Sequence, residues 1–337
     1  MKTWRMQSPG GLDRLVLEET ADPGAPGKGA IRVAIKANSL NYHDLLVALG
    51  TIPTENGRIL LSDGAGVVEA VGEGVEEFKV GDAVVSTFFP IWLAGAPIPA
   101  AGGFQHTPGD GVDGMAAKYV VRPTTAFTHA PRGWTHPQAA TIPTSALTAW
   151  RALVVDGGLK AGETVLVQGT GGVSIAALQI AKGMGAKVIA TSSSDEKLER
   201  ARKLGADFTI NYRQERDWGK KAFALTGGLG VDHVIEVGGP ATLEQSLRAL
   251  KVGGHVALIG VLSGTAGELP IMLALLKQAR IGALIVGSRR DQQDFVRALE
   301  VMAAAPVVDQ IYPAAELVEA FRHLQSGRHF GKICIEW

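Results

Sequence analysis

The stretch from Glu163 to Ser192, ETVLVQGTGGVSIAALQIAKGMGAKVIATS, constrains the fold more than any other part of the chain. An apolar run of strand-forming residues, Thr164 to Val167, ends at Gln168-Gly169. The turn Gly169-Thr170-Gly171-Gly172-Val173-Ser174 leads into Ile175, Leu178, Ile180 and Ala181 at helical spacing, and a second apolar run follows at Val188–Ala190. Strand, glycine turn, helix and strand within about thirty residues is the pattern of a dinucleotide-binding βαβ unit. The chemistry asks for this spacing. Gly169 permits the tight turn, Gly171 lets the backbone approach a pyrophosphate, and with Gly172 and Val173 the helix opens with unpaired N–H groups and the positive end of its dipole toward the phosphates. The third glycine of the fingerprint is replaced by Ser174, small enough for the helix still to pack on its strand.

A chain of 337 residues has room for two domains, and the pattern along it divides accordingly. From residue 1 to about 125, short runs at Lys2–Met6, Arg14–Glu18, Ile31–Ala37, Ala65–Val71, Asp82–Ser86 and Ala117–Val121 are separated by glycine, proline or acidic residues. Evenly punctuated short strands predict a small barrel or sandwich. Asn41 to Ala48 reads as a short helix, 88–115 as a long irregular loop, and 135–155 as one or two helices. Beyond it strands are expected at 164–168, 187–191, 207–211, 231–237, 254–259 and 281–286. Helices are expected at about 172–184, 195–204, 214–225 and 241–250, which makes a full doubly wound α/β sheet. Residues 291–304 and 314–324 read as helices, and 332–336 as a last strand returning to the first domain.

Charge and composition exclude several classes. Lys+Arg and Asp+Glu both total 33, with no basic block, so no nucleic-acid partner is expected. Apolar segments are too short for a bilayer, so no membrane partner is expected either. The single cysteine, Cys334, excludes an internal disulfide and cysteine-rich zinc sites. The opening MKTWRMQSPG has no apolar core, which leads to the expectation of a cytoplasmic protein. No GxSxG elbow or GKS/GKT loop is present, so hydrolase and NTPase chemistry have no support.

Five segments together carry a family resemblance: Ala37-Asn-Ser-Leu-Asn41-Tyr42-His43-Asp44, Gly64-Ala-Gly66-Val-Val-Glu-Ala-Val-Gly72, Thr144-Ser-Ala-Leu-Thr148-Ala-Trp, the glycine motif, and Gly331-Lys332-Ile333. The chain resembles the medium-chain dehydrogenase/reductases, and among them the zinc-independent quinone-oxidoreductase-like branch. The resemblance implies a GroES-like β-barrel catalytic domain, residues 1–125 and 300–337, and a Rossmann domain with a doubly wound parallel sheet, residues 126–299, with the active site in the cleft between them. It further implies a homodimer joined along the last strand of the sheet. Zinc-dependent relatives hold their catalytic metal through Cys, His and Cys or Asp. Aligned on these motifs, this chain has Asn41, Ser62 and Thr144 there, a carboxamide and two hydroxyls, so no zinc is expected. Without a Lewis acid, hydride addition to a quinone or an α,β-unsaturated carbonyl is less demanding than reducing a plain ketone, because the charge spreads and a few hydrogen-bond donors hold it. The alternatives are a zinc-independent NAD(P)-dependent alcohol or aldehyde dehydrogenase and a non-catalytic nucleotide-binding protein.

Ser192 decides the expected cofactor. It stands at the end of the second strand of the unit, where an acidic residue would bind a ribose 2′-hydroxyl and repel a 2′-phosphate. A serine leaves the phosphate unrepelled, and Lys197 and Tyr212-Arg213 offer charge and a further donor, so NADP(H) is expected. Val237, Ile259 and Val286-Gly287-Ser288 end the fourth, fifth and sixth expected strands, the edge where ligands of such sheets lie, and are cofactor-binding candidates. The resemblance adds Lys332, reaching a phosphate from the tail, and Thr148, packing on the nicotinamide. Asn41 and Tyr42 are the remaining candidate working residues, with Tyr42 or His43 as proton donor or holder of the substrate carbonyl.

Overall fold

The computed structural model describes residues 1–302 and 304–337. In chain order, strands β1 (Lys2–Met6), β2 (Leu15–Glu19) and β3 (Ala30–Ser39) precede helix α1 (Tyr42–Ala48). Strands β4 (Asp63–Val71) and β5 (Ala83–Ser86), the short helix α2 (Pro99–Gly102), and strands β6 (Tyr119–Pro123) and β7 (Phe127–His129) follow. The segment expected to be helical becomes short α3 (His136–Ala139) and α4 (Leu147–Trp150), with wider π-helical turns at Ile142–Ala146 and Arg151–Val155. Then come β8 (Thr164–Gln168), α5 (Gly172–Gly183), β9 (Lys187–Ser192), α6 (Asp195–Lys203), β10 (Phe208–Asn211) and α7 (Trp218–Leu225). These are followed by β11 (Val231–Glu236), α8 (Pro240–Ala249), β12 (Leu250–Leu258), α9 (Ile271–Lys277) and β13 (Arg280–Ala283). The chain closes with α10 (Arg289–Met302), β14 (Val308–Pro313), α11 (Leu317–Gln325) and β15 (Lys332–Glu336).

Two compact units form. The first comprises residues 1–147, 286–301 and 305–337; the second, residues 148–285 with Met302 and Ala304. By packing, therefore, 126–147 and 286–299 group with the first unit, although the resemblance implies a nucleotide domain of residues 126–299.

The first unit is built on a seven-stranded sheet in the order β14-β15-β3-β4-β5-β7, with β6 also on β3. The β3–β4 pair is antiparallel and long, Ile31 facing Val71 and Ser39 facing Asp63. Alternating side chains of β3 (Ile31, Val33, Ile35) join Leu45, Val68, Phe127, Leu317 and Phe321 in one apolar core. The close β3–β4 approach requires glycine in the Gly64-Ala-Gly66 motif, since a Cβ on Gly66 would lie 2.1 Å from the Ala34 carbonyl oxygen. Strand β15 does return to this unit as expected, antiparallel to β3 with Cys334 opposite Ser39. Its parallel neighbour β14 is an element the sequence pattern did not reveal.

The second unit is a six-stranded, wholly parallel sheet in the order β10-β9-β8-β11-β12-β13. This is the doubly wound arrangement, reversing beside β8. Leu166, Ile189, Ile210, Val234 and Val256 from five strands pack with Trp218 and Leu247 from the covering helices. Two expectations need correction here. The sixth strand was expected to run to residue 286 but stops at Ala283. Val286 then takes a left-handed φ of 49°, which a β-branched side chain resists and a strand cannot contain. Helix α9 lies in a segment left without an element, because no residue of it is buried and its apolar residues give no one-sided pattern. The helix expected to end at Ala304 ends at Met302; residue 303 lies outside the described residues.

Candidate active site

In the second unit the candidate residues gather at the carboxyl ends of the strands. Gln168 ends β8, and Gly169 turns the chain with φ 70°. Gly171 precedes the first turn of α5, which contains Gly172 and Val173. A Cβ at Gly171 would meet no atom within 4 Å, so the surface over this turn is open to a ligand's phosphate. Ser174 does more than save space: its buried hydroxyl donates to the Gln168 carbonyl at 2.6 Å, tying the helix to the end of the strand.

Ser192 closes β9, and its hydroxyl accepts from the Ser194 N–H at 3.2 Å. Ser194 caps α6, accepting from the Lys197 N–H at 3.3 Å. The Tyr212 N–H donates to the Ser192 carbonyl at 3.1 Å, which places the half-exposed Tyr212 ring beside the end of β9. Asp195, the acid nearest this group, is engaged by Asn211 at 2.7 Å and by Gln214 at 3.0 Å. Ser192, Lys197 and Tyr212 are thus close neighbours along the ends of β9 and β10 and the first turn of α6.

Val237 and Ile259 are organised by a residue the sequence analysis did not single out. Glu236, fully buried, accepts five hydrogen bonds: from Gln168 Nε2 (2.7 Å), Ser246 Oγ (2.5 Å), Thr242 Oγ1 (2.6 Å) and the N–H groups of Gly238 (2.8 Å) and Gly239 (2.9 Å). Gln168 in turn accepts from the Val237 N–H at 3.3 Å, and Ile259 N–H donates to the Glu236 carbonyl at 2.9 Å. The loops after β11 and β12 are held from beneath. Thr148, on α4, is buried at 4% exposure. Val286, Gly287 and Ser288 belong to the first unit, and the N–H and hydroxyl of Ser288 both bond Asp291, at 2.8 and 2.7 Å.

In the first unit a buried polar cluster centres on Asn41. Its backbone N–H donates to Asp44 Oδ2 at 2.9 Å, closing the first turn of α1. Its side-chain Nδ2 donates to Asp63 Oδ2 at 2.8 Å and to Asp44 Oδ2 at 3.1 Å. Thr144 Oγ1 donates to Asp63 Oδ1 at 2.6 Å, and the Ser62 N–H donates to Asp44 Oδ1 at 2.9 Å. The π-helical turn at Ile142–Ala146 lets neighbouring residues serve one cluster: Thr144 reaches Asp63, while Ser145 donates to Asn41 Oδ1 at 3.1 Å. Lys332 completes it from the tail. Its Nζ donates to the Leu40 carbonyl at 2.5 Å, Asn41 Oδ1 at 2.5 Å and Ser145 Oγ at 3.1 Å. The expected reach of Lys332 to a phosphate is not what this position gives. The β15–β3 pairing turns the side chain into the unit, where it is 6% exposed and three acceptors already take its three hydrogens.

Burial sets the electrostatics of this cluster. It pushes Asp63 up to about 7, against the opposing effects of the Lys332 charge and the Asn41 and Thr144 hydrogen bonds, with Asp44 adding to the rise. Burial also lowers Lys332 from the ordinary lysine value, with Asp63 the largest opposing influence. Neither Asp44 nor Asp63 is a candidate that the sequence analysis singles out. The Asn41-x-x-Asp44 capping pattern was a usable signal; nothing local signals that Asp63, Ser145 and Lys332 meet.

Tyr42 begins α1 and is 49% exposed. His43 turns instead toward the loop at 88–115. Its Nε2 lies 3.1 Å from Asp110 Oδ2, and its ring packs on Phe104 (4.9 Å between centroids) and edge-on to Phe88 (5.5 Å).

The chain matches two family models, "Alcohol dehydrogenase GroES-like domain" over residues 27–132 and "Zinc-binding dehydrogenase" over residues 172–304. It is 42% identical over 335 residues to a zinc-type alcohol dehydrogenase-like protein of Schizosaccharomyces pombe, covering 97% of this chain and 96% of that one. A solved putative alcohol dehydrogenase from Sinorhizobium meliloti is 43% identical with a TM-score of 0.94, covering 100% of this chain and 98% of that one. A Pseudomonas syringae quinone oxidoreductase is 28% identical with a TM-score of 0.82, covering 100% and 99%. A mycobacterial protein solved in complex with NADPH is 26% identical, also with a TM-score of 0.82, covering 100% of both chains.

The zinc in two of these descriptions can be tested against the donor set. Zinc sites of proteins use thiolate, imidazole and carboxylate ligands at about 2.0–2.3 Å. The aligned positions here hold Asn41, Ser62 and Thr144; Asn41 Oδ1 faces the Lys332 ammonium, and Thr144 spends its proton on Asp63. Among the described residues no group of three or more His, Cys, Asp or Glu is placed to hold a metal ion. The residues present do not fit a zinc ion.

Proposed function

Since the chain belongs to the medium-chain dehydrogenase/reductase superfamily, we propose that it is an NADPH-dependent reductase delivering hydride to a quinone or an α,β-unsaturated carbonyl without zinc. One observation carries this reading: the Asn41–Ser62–Thr144 positions hold neutral groups already engaged inside a closed network that contains an ammonium. With no Lewis acid to gather charge on a single oxygen, acceptors that spread the charge over an enolate or a phenolate are favoured.

Bound NADPH supplies the hydride. The open surface at Gly171 and the free N–H groups at the start of α5 receive the pyrophosphate. Ser192 and Tyr212 offer donors, and Lys197 a positive charge, to the 2′-phosphate, while Asp195 is held by Asn211 and Gln214. The loops carrying Val237 and Ile259, held by Glu236, form the bed for the nicotinamide half, and Thr148 packs against the ring. The expected contact of the Asn41 carboxamide with the nicotinamide ribose or substrate is not available to it, since its oxygen and its NH2 are already bonded within the cluster, and Tyr42 steadies the substrate oxygen or returns a proton to it. The solved relative complexed with NADPH and the quinone oxidoreductase support both halves of the proposal.

A homodimer fits two features of the second unit. Strand β13 ends the sheet with β12 as its hydrogen-bonded neighbour, and α9 before it exposes Ile271, Met272, Leu275 and Leu276 at 62–70%. No helix among the described residues is long and apolar enough to cross a membrane.

The relatives described as alcohol dehydrogenases favour a second reading, oxidation of an alcohol or reduction of an aldehyde with NAD(P). A cofactor-oxidation screen across quinones, enones, enoyl thioesters and aldehydes, with and without chelator, separates the two. The proposal expects chelator-resistant turnover of quinones or enones with NADPH, and a shift toward NADH in Ser192→Asp. Turnover confined to alcohols and aldehydes, or higher catalytic efficiency with NADH in the native chain, would overturn it.

A further inference from the structure

The cluster around Asn41 contains a cation, and it is covalently part of the chain. We propose that the Lys332 ammonium is the resident cation of this site, occupying the place of a metal and fixing the orientation of the Asn41 carboxamide; the inference rests on the zinc-independent reading above.

Hydrogen-bond counting shows how the ammonium works. Nζ has three hydrogens and meets three oxygens: Leu40 O, Asn41 Oδ1 and Ser145 Oγ. With Oδ1 held by Lys332 and Ser145, Nδ2 is turned to Asp63 and Asp44. A flipped carboxamide would set its NH2 against the ammonium and its oxygen against two carboxylates, so one orientation survives. The same contact excludes a metal. A zinc ion on Asn41 Oδ1 would have to sit about 2.0–2.2 Å from an oxygen that the ammonium already approaches at 2.5 Å. Charge follows the same plan. Asp44 is served by neutral N–H donors from Asn41 and Ser62, and Asp63 by three neutral donors, Asn41 Nδ2, Thr144 Oγ1 and, at 3.5 Å, Ser62 Oγ, while Lys332, bonded to Asn41 Oδ1, brings in the positive charge that opposes the burial of the Asp63 carboxylate. Lys332 is therefore a positioning residue that acts through Asn41, and it reaches the cluster because Leu40 N–H pairs with the Ile333 carbonyl at 3.0 Å across the β3–β15 junction.

A charge-coupled test separates this role from simple packing. Lys332→Met keeps the apolar stem and removes the cation, leaving Asp63 buried without compensation. At pH 8.5 it is expected to lower the thermal midpoint by roughly 10 °C. Adding Asp63→Asn to that variant removes the uncompensated charge and should restore more than half of the loss, which a packing defect would not allow. If the double variant is no more stable than Lys332→Met, the ammonium is not the countercharge of the cluster and the proposal falls, while the metal-free reading of the enzyme stands. Should Lys332→Met be too unstable to purify alone, recovery of soluble double variant counts as the same rescue, and failure of both as its absence. Cobalt(II) titration of the native chain supplies the second arm. No visible ligand-field band is expected at one equivalent. A stoichiometric band that Asn41→Ala abolishes would overturn both this inference and the zinc-independent reading.

Discussion

Asp63 in the first unit and Glu236 in the second are both fully buried carboxylates, and they are held in opposite ways. Glu236 is surrounded by five neutral donors from residues 168–246, two of them backbone N–H groups at the entry to α8, where the helix dipole also favours negative charge. Asp63 has two short neutral donors and a lysine more than 260 residues away in sequence for its compensating charge. The first arrangement is saturated by polar groups and pins loops; the second needs the tail of the chain in place and leaves a carboxylate that titrates near neutrality. A doubly wound sheet supplies backbone donors at its carboxyl edge by construction. The β-rich unit has no such edge at this point and fills the need with side chains.

Removing the acceptor from the saturated site should have the largest effect. In Glu236→Gln an amide NH2 must face at least one of five donors, so a loss of about 4 kcal/mol in unfolding free energy is expected from urea denaturation, with nucleotide affinity falling alongside. A loss below about 1 kcal/mol would show that the five-donor site is not saturated as described, and would break the contrast.

The pH response sharpens the comparison next. Asp63 is raised to about 7 in the folded chain, so the folded state binds more protons than the unfolded state from about pH 4 to pH 7. Its contribution to stability therefore falls as pH rises through that window, by roughly 4 kcal/mol, and Asp63→Asn should remove that slope. His255, in the second unit, is lowered to about 4 by burial and by nearby His233 and Arg280. Its contribution has the opposite sign, present above pH 6.5 and lost as pH falls toward 4, and His255→Gln should remove it. Denaturation midpoints of the two variants between pH 4 and 7 test both signs; equal slopes in the two variants would refute the assignment.

The smallest effect belongs to the open turn. A Cβ at Gly171 meets nothing, so Gly171→Ala should leave the unfolding transition in place while weakening NADPH binding about tenfold, close to 1.4 kcal/mol by titration calorimetry. Unchanged affinity would mean that the turn after β8 does not receive the pyrophosphate.

Much of the fold was legible because its signals are local. The glycine turn, the strand–helix alternation from Thr164 to Leu258, and the return of residues 332–336 all appear where periodicity and punctuation placed them. Helix α9 was not legible, because burial writes a helix's pattern and α9 has no buried residue. Strand β14 was missed because its burial pattern, half-buried and exposed residues without a deeply buried one, gives no clear alternation. Of the candidate residues, Ser192 and Tyr212 sit at or just beyond the end of an expected strand, and Lys197 in the first turn of the helix that follows Ser192. Ser288 and Lys332 were found as residues but not in their surroundings, Ser288 bonded to Asp291 and Lys332 to Asn41.

What the sequence determined by itself is the parallel sheet with its glycine turn, the β-rich partner unit, and the presence of Asn41, Ser62 and Thr144, a carboxamide and two hydroxyls, at the aligned positions. Those follow from residue types at fixed spacing, which hydrophobic patterning and ligand chemistry read directly. Only the tertiary structure decided that Lys332 turns inward to Asn41, that Asp63 depends on it, and that five donors converge on Glu236. Sheet register, not sequence proximity, brings Lys332 to Asn41 and Gln168 to Glu236, whereas Gly238, Gly239, Thr242 and Ser246 reach Glu236 from within ten residues of it.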